Sequence, residues 1–72
     1  MLNKEEIAFL RAGAKKIFKQ MKKHHPGDEN SLIISAVITG WKDAGCSLPG
    51  RTVQSEEEIE EAVIIIKLAL LD

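Results

Sequence analysis

A chain of 72 residues that is 44% hydrophobic and 29% charged is too apolar to stay disordered, too charged to be embedded in a membrane and too short to build two independent cores. Its formal net charge of −1 hides a segregation: Arg11, Lys15, Lys16, Lys19, Lys22 and Lys23 gather positive charge early, and Glu56, Glu57, Glu58, Glu60 and Glu61 gather negative charge late. The expectation is one helical domain over residues 1–72, all-α, a three-helix bundle with helices at about 4–24, 29–45 and 55–71. Because a core of this size leaves only about 3–5 kcal/mol of net stability, oligomerisation is expected to complete it.

Asn3 stands where it caps the first helix, with Glu6 three residues later to complete a capping box. Ile7, Leu10, Ala14, Ile17, Phe18 and Met21 then recur at three-to-four spacing, the mark of an amphipathic helix. It stops ahead of Pro26-Gly27, since proline disfavours helical backbone in the residue before it. Lys22, Lys23, His24 and His25 fall where the helix dipole favours positive charge.

For the second helix, Asp28, Asn30 and Ser31 compete as caps, and Leu32, Ile33, Ile34, Ala36, Val37, Ile38, Trp41 and Ala44 supply the apolar side chains. The β-branched content of this stretch argues for a strand, but no other segment offers a convincing strand to pair with it, so the helix is preferred. Gly45 lies where a left-handed residue ends the helix, and residues 46–54 read as a loop.

Ser55 begins the third helix, with Glu58 placed to reach back as its capping-box partner and the run of acids facing the positive end of the dipole. Ile59, Ala62, Val63, Ile66, Ala69 and Leu70 form one face, whereas Ile64, Ile65, Leu68 and Leu71 fall outside it. A helix apolar on nearly every side has to be covered on nearly every side, and two short helices cannot surround a third. Ile64, Ile65, Leu68 and Leu71, with Trp41 of the second helix, are therefore the candidate oligomer or partner interface. The apolar run from Ala62 to Leu71 is interrupted by Lys67 and falls well short of the roughly 20 residues that span a bilayer, so no membrane contact is expected.

Catalysis and metal binding are not expected. Cys46 is the only cysteine, which excludes an intrachain disulfide and a cysteine-rich zinc site and, with an N-terminus unlike a signal peptide, fits a reducing cytoplasm. His24-His25 lacks further ligands at helical spacing, so neither a metal nor another cofactor is expected. The glutamates fall on an exposed turn rather than in a cleft, and Ser, Cys and His assemble no nucleophile–base pair. A helix-turn-helix is excluded by the long second loop and by glutamates at the start of the would-be recognition helix.

Arg11, Lys15, Lys19 and Lys22 follow one another at spacings of four, four and three and line one ridge of the first helix. Such a ridge is a candidate phosphate or anion contact. Arg51, presented by the turn Leu48-Pro49-Gly50-Arg51, is a second candidate, because a guanidinium grips a carboxylate or phosphate in a fork. Aromatic residues do not interleave with the ridge: there is no tyrosine, and Phe9 and Phe18 are expected to be packed.

Pro49-Gly50-Arg51, followed by Ser55 and Ile59-Glu60-Glu61-Ala62, resembles the third-helix region of phage-encoded cyclic-nucleotide sponges, small helical proteins that oligomerise and sequester defence signals. The resemblance is confined to this stretch and implies nucleotide sequestration as one function. The leading expectation from the residues themselves is a non-enzymatic, cytoplasmic protein–protein interaction module, an oligomeric adaptor or inhibitor of the kind phages and mobile elements encode. A nucleotide- or nucleic-acid-binding module using the basic ridge is the alternative.

Overall fold

A computed structural model of the chain describes residues 1–71. Helix α1 (Lys4–His24) is followed by α2 (Asn30–Asp43), by two short strands, β1 (Ser47–Leu48) and β2 (Arg51–Thr52), and by α3 (Glu56–Leu71). The architecture is an all-α arrangement of three helices with a small hairpin inserted before the last.

The expected capping box starts α1. The Asn3 side chain accepts the Glu6 backbone N–H at 2.8 Å, and the Glu6 carboxylate accepts the Asn3 N–H at 3.1 Å, so two donors that the first turn leaves open are satisfied locally. At roughly 1.5 Å per residue, its 21 residues account for most of the 35 Å long axis of the molecule.

Helix α2 is shorter than the expected 29–45, and its cap differs. Glu29 occupies the capping position with extended backbone and makes no side-chain bond to the helix, so none of Asp28, Asn30 or Ser31 serves as the cap. The far end follows the sequence: Gly45 adopts a φ of 81°, its N–H bonds the Lys42 carbonyl at 3.0 Å, and the Cys46 N–H bonds the Trp41 carbonyl at 3.2 Å. This is a Schellman closure. Cys46 itself has a φ of 55°, uncommon for a residue with a side chain.

Residues 46–54, expected as a loop, contain a hairpin. Ser47 pairs with Thr52 and Leu48 with Arg51 in antiparallel register. The two-residue turn is Pro49-Gly50, with Gly50 at a φ of 80°, as the third position of a type II turn requires. Strands of two residues carry too little alternation to announce themselves in sequence.

The core gathers where the three helices and the hairpin meet. Ile33 of α2 and Ile66 of α3 are the largest fully enclosed side chains, with Leu10, Val37, Leu48 and Val53 buried around them. On α3 the predicted inward face is the one buried: Ala62, Ile66, Ala69 and Leu70 are covered, and Ile59 and Val63 flank them half-buried. Among the described residues no helix is long and apolar enough to cross a membrane.

Candidate functional site

One carboxylate from the first turn of α1 and one from the first turn of α3 are brought together by one arginine. Arg51, at the start of β2, donates from Nε and Nη2 to the two carboxylate oxygens of Glu6, the Nη2 bond measuring 3.0 Å. Its Nη1 and Nη2 also reach the two oxygens of Glu58 at 3.2 and 2.8 Å. Among the described residues Glu6 is the one charged side chain that is buried. The Arg51 guanidinium, helped by the Asn3 backbone N–H, holds its carboxyl down at about 2 from an ordinary 4.5, and hydrogen bonding to Arg51 also lowers Glu58. Opposite charge and hydrogen bonds to the ionised form both act in that direction.

This clamp departs from two expectations. Glu58 does not act as the capping-box partner of Ser55, since its carboxylate belongs to Arg51; the Ser55 carbonyl still accepts the Ile59 N–H at 3.0 Å. Arg51 does fork onto carboxylates, but they are the chain's own. Nothing in the local pattern around position 51 marks this cluster, which joins residues 45 apart.

Because Arg51 holds Glu6 and Glu58, the N-terminal ends of α1 and α3 lie at the same end of the molecule. The Leu2 backbone N–H meets the Glu61 carboxylate at 3.3 Å there. Further along, Ile7 and Arg11 of α1 share an open hollow of about 210 Å³ with Ile65, Leu68 and Ala69 of α3. The two helices therefore run side by side in parallel.

On the outward side of α3, Ile64, Leu68 and Leu71 are 56%, 60% and 70% exposed. Their spacing of four and three residues places them on one stripe, opposite the buried face. Ile65 differs from them: it is half-buried and packs against the core. Trp41 lines a groove to which Ile64, Leu68 and Leu71 do not contribute. It is half-buried beside α1, and its indole N–H donates to the Ser47 carbonyl at 3.3 Å.

Trp41 borders a half-open apolar groove of about 280 Å³ between α1 and α2, with Gly40 and Ala44 beside it and Phe9, Gly13 and Ile17 across from it. Phe9, expected to be packed, is 51% exposed on the groove's rim, and Ile17, expected on the inward stripe, is 45% exposed. The two glycines leave the groove open: a Cβ added to either would meet no atom within 4 Å. The only sign of the groove in the sequence is Gly13 four residues after Phe9 and four before Ile17.

Arg11, Lys15 and Lys19 are exposed and Lys22 is half-buried. Among the described residues none of these four forms an ion pair, so the acidic start of α3 does not neutralise the ridge within the chain. The described residues also contain no group of three or more His, Cys, Asp or Glu side chains placed to hold a metal ion. Comparison with known protein families, with curated proteins and with solved structures finds no match to this chain.

Proposed function

We propose that this chain is a non-enzymatic interaction module that works as an oligomer, an adaptor or inhibitor of another protein such as phages and mobile elements encode. The reading rests on one observation: Ile64, Leu68 and Leu71 form an exposed apolar stripe on a helix whose other face is already committed to the core. Small soluble domains rarely leave contiguous apolar side chains in water unless a partner covers them. Solution mass by light scattering tests this. The wild type is expected at a multiple of 8.0 kDa, with Leu68→Glu and Ile64→Glu folded but of lower mass. A wild type that stays monomeric at every concentration defeats the reading.

A second reading has its own support. Among the described residues none of Arg11, Lys15, Lys19 and Lys22 forms an ion pair, and such cations displace condensed counterions when they meet a phosphate backbone or a nucleotide. Binding to a labelled oligonucleotide or a cyclic dinucleotide would weaken as salt rises and vanish in Lys15→Glu/Lys19→Glu. Absence of binding at low salt removes it.

A further inference from the structure

We infer that two copies of this chain pair antiparallel through the α1–α3 face, each copy laying the acidic first half of α3 on the basic second half of the other's α1. This rests on the reading of the α3 stripe as an assembly surface and specifies what covers it. The argument is a match of spacings. Leu68 and Arg11 border the same hollow, so they mark one level along the parallel pair of helices. From Leu68 toward the start of α3, the outward positions Ile64, Glu60 and Glu57 lie 4, 8 and 11 residues away. From Arg11 toward the end of α1, the ridge positions Lys15, Lys19 and Lys22 lie 4, 8 and 11 residues away.

At roughly 1.5 Å per residue, a two-fold axis at the Leu68–Arg11 level brings Glu60 opposite the second copy's Lys19, and Glu57 opposite its Lys22, both repeated by symmetry. Two-fold contacts are self-complementary in this way. At the axis Leu68 meets its counterpart, and Ile64 lies against the hydrocarbon stem of the second copy's Lys15, so hydrocarbon holds the middle of the face and the carboxylate pairs lie further out, the usual distribution of an interface core and rim. A parallel pairing would instead gather both copies' lysines at one pole and both copies' glutamates at the other, which like-charge repulsion opposes. The arrangement also gives carboxylate partners to Lys19 and Lys22, which form no ion pair among the described residues.

The test is a charge swap with rescue by mixing. Lys19→Glu/Lys22→Glu alone and Glu57→Lys/Glu60→Lys alone are each expected to raise the dimer dissociation constant by about tenfold or more at low salt, with helical circular dichroism retained. An equimolar mixture is expected to regain association, because every contact across the mixed pair again joins opposite charges. If the Glu57→Lys/Glu60→Lys chain does not fold, Glu60→Lys against Lys19→Glu makes the same comparison. A wild type that assembles while neither variant changes its mass, or weakened variants that mixing does not restore, overturns the antiparallel pairing and leaves the interaction-module reading standing. A wild type that is monomeric throughout defeats both.

Discussion

Arg51 and Glu6 stand 45 residues apart in the chain and meet in a two-pronged hydrogen bond, the guanidinium Nε and Nη2 each taking one carboxylate oxygen. The same carboxylate closes the capping box of α1, so one buried side chain serves the local start of a helix and a long-range tie to the hairpin. Replacing Arg51 by alanine leaves that carboxylate buried without its counter-charge. Arg51→Ala is expected to lower the thermal midpoint more than Arg51→Lys, which keeps the charge but loses the fork. Differential scanning calorimetry of both variants decides this; equal midpoints would show that the charge contributes nothing once the fork is lost.

The clamp makes stability depend on acid. Glu6 titrates at about 2 in the folded chain against an ordinary 4.5, so as pH falls the unfolded chain binds this proton first. The contribution is fully present above about pH 4.5 and is lost as pH falls toward 2, with Glu58 adding a loss of the same sign. Urea midpoints measured between pH 7 and pH 2 are expected to fall through this window. Glu6→Gln is expected to flatten that slope; an unchanged slope would place the acid sensitivity elsewhere.

Core and surface isoleucine or leucine positions on α2 are expected to separate cleanly. Ile33 is fully enclosed, whereas Leu32, one residue earlier, is largely exposed. Ile33→Ala is expected to cost about 2–5 kcal/mol, and Leu32→Ala no more than about 0.5 kcal/mol. Since a domain this small holds only about 3–5 kcal/mol in reserve, Ile33→Ala would be substantially unfolded at room temperature. Chemical denaturation of both variants measures the difference.

The glycines predict opposite signs. Gly13 lies within α1 with free space where a Cβ would go, so Gly13→Ala is expected to stabilise by up to about 1 kcal/mol through helix propensity. Gly50 holds a φ of 80° in the hairpin turn, and Gly50→Ala is expected to destabilise by about 1 kcal/mol or more. A destabilised Gly13→Ala would mean that the groove beside it narrows in solution.

What the sequence revealed was what repeats locally. The bounds and capping box of α1 were legible because Asn3, Glu6 and the three-to-four spacing act within one helix, and the inward face of α3 was legible for the same reason. The hairpin was not, because two-residue strands have no period to detect. Nor was the role of Glu58, whose position after Ser55 fits a capping box equally well until Arg51 arrives from a different element. Ile17 misled for a related reason: the spacing assigns a side chain to a face of α1, but only the separation of α1 from α2 decides whether that face is filled or left as a groove, and Phe9, outside that spacing, lies on the same groove's rim.

The Arg51 fork and the Leu2–Glu61 bond both lie at the end of the molecule where α1 and α3 begin. At the opposite end, every residue from Lys23 to Leu32 is exposed. The fold is consequently riveted at one pole and only wrapped at the other. Local opening draws on the least buried stretches, so amide exchange and proteolytic nicking would begin at the α1–α2 connection and advance toward the rivet. Protection in this domain is therefore expected to be graded along its long axis, greatest at the pole that Arg51 holds.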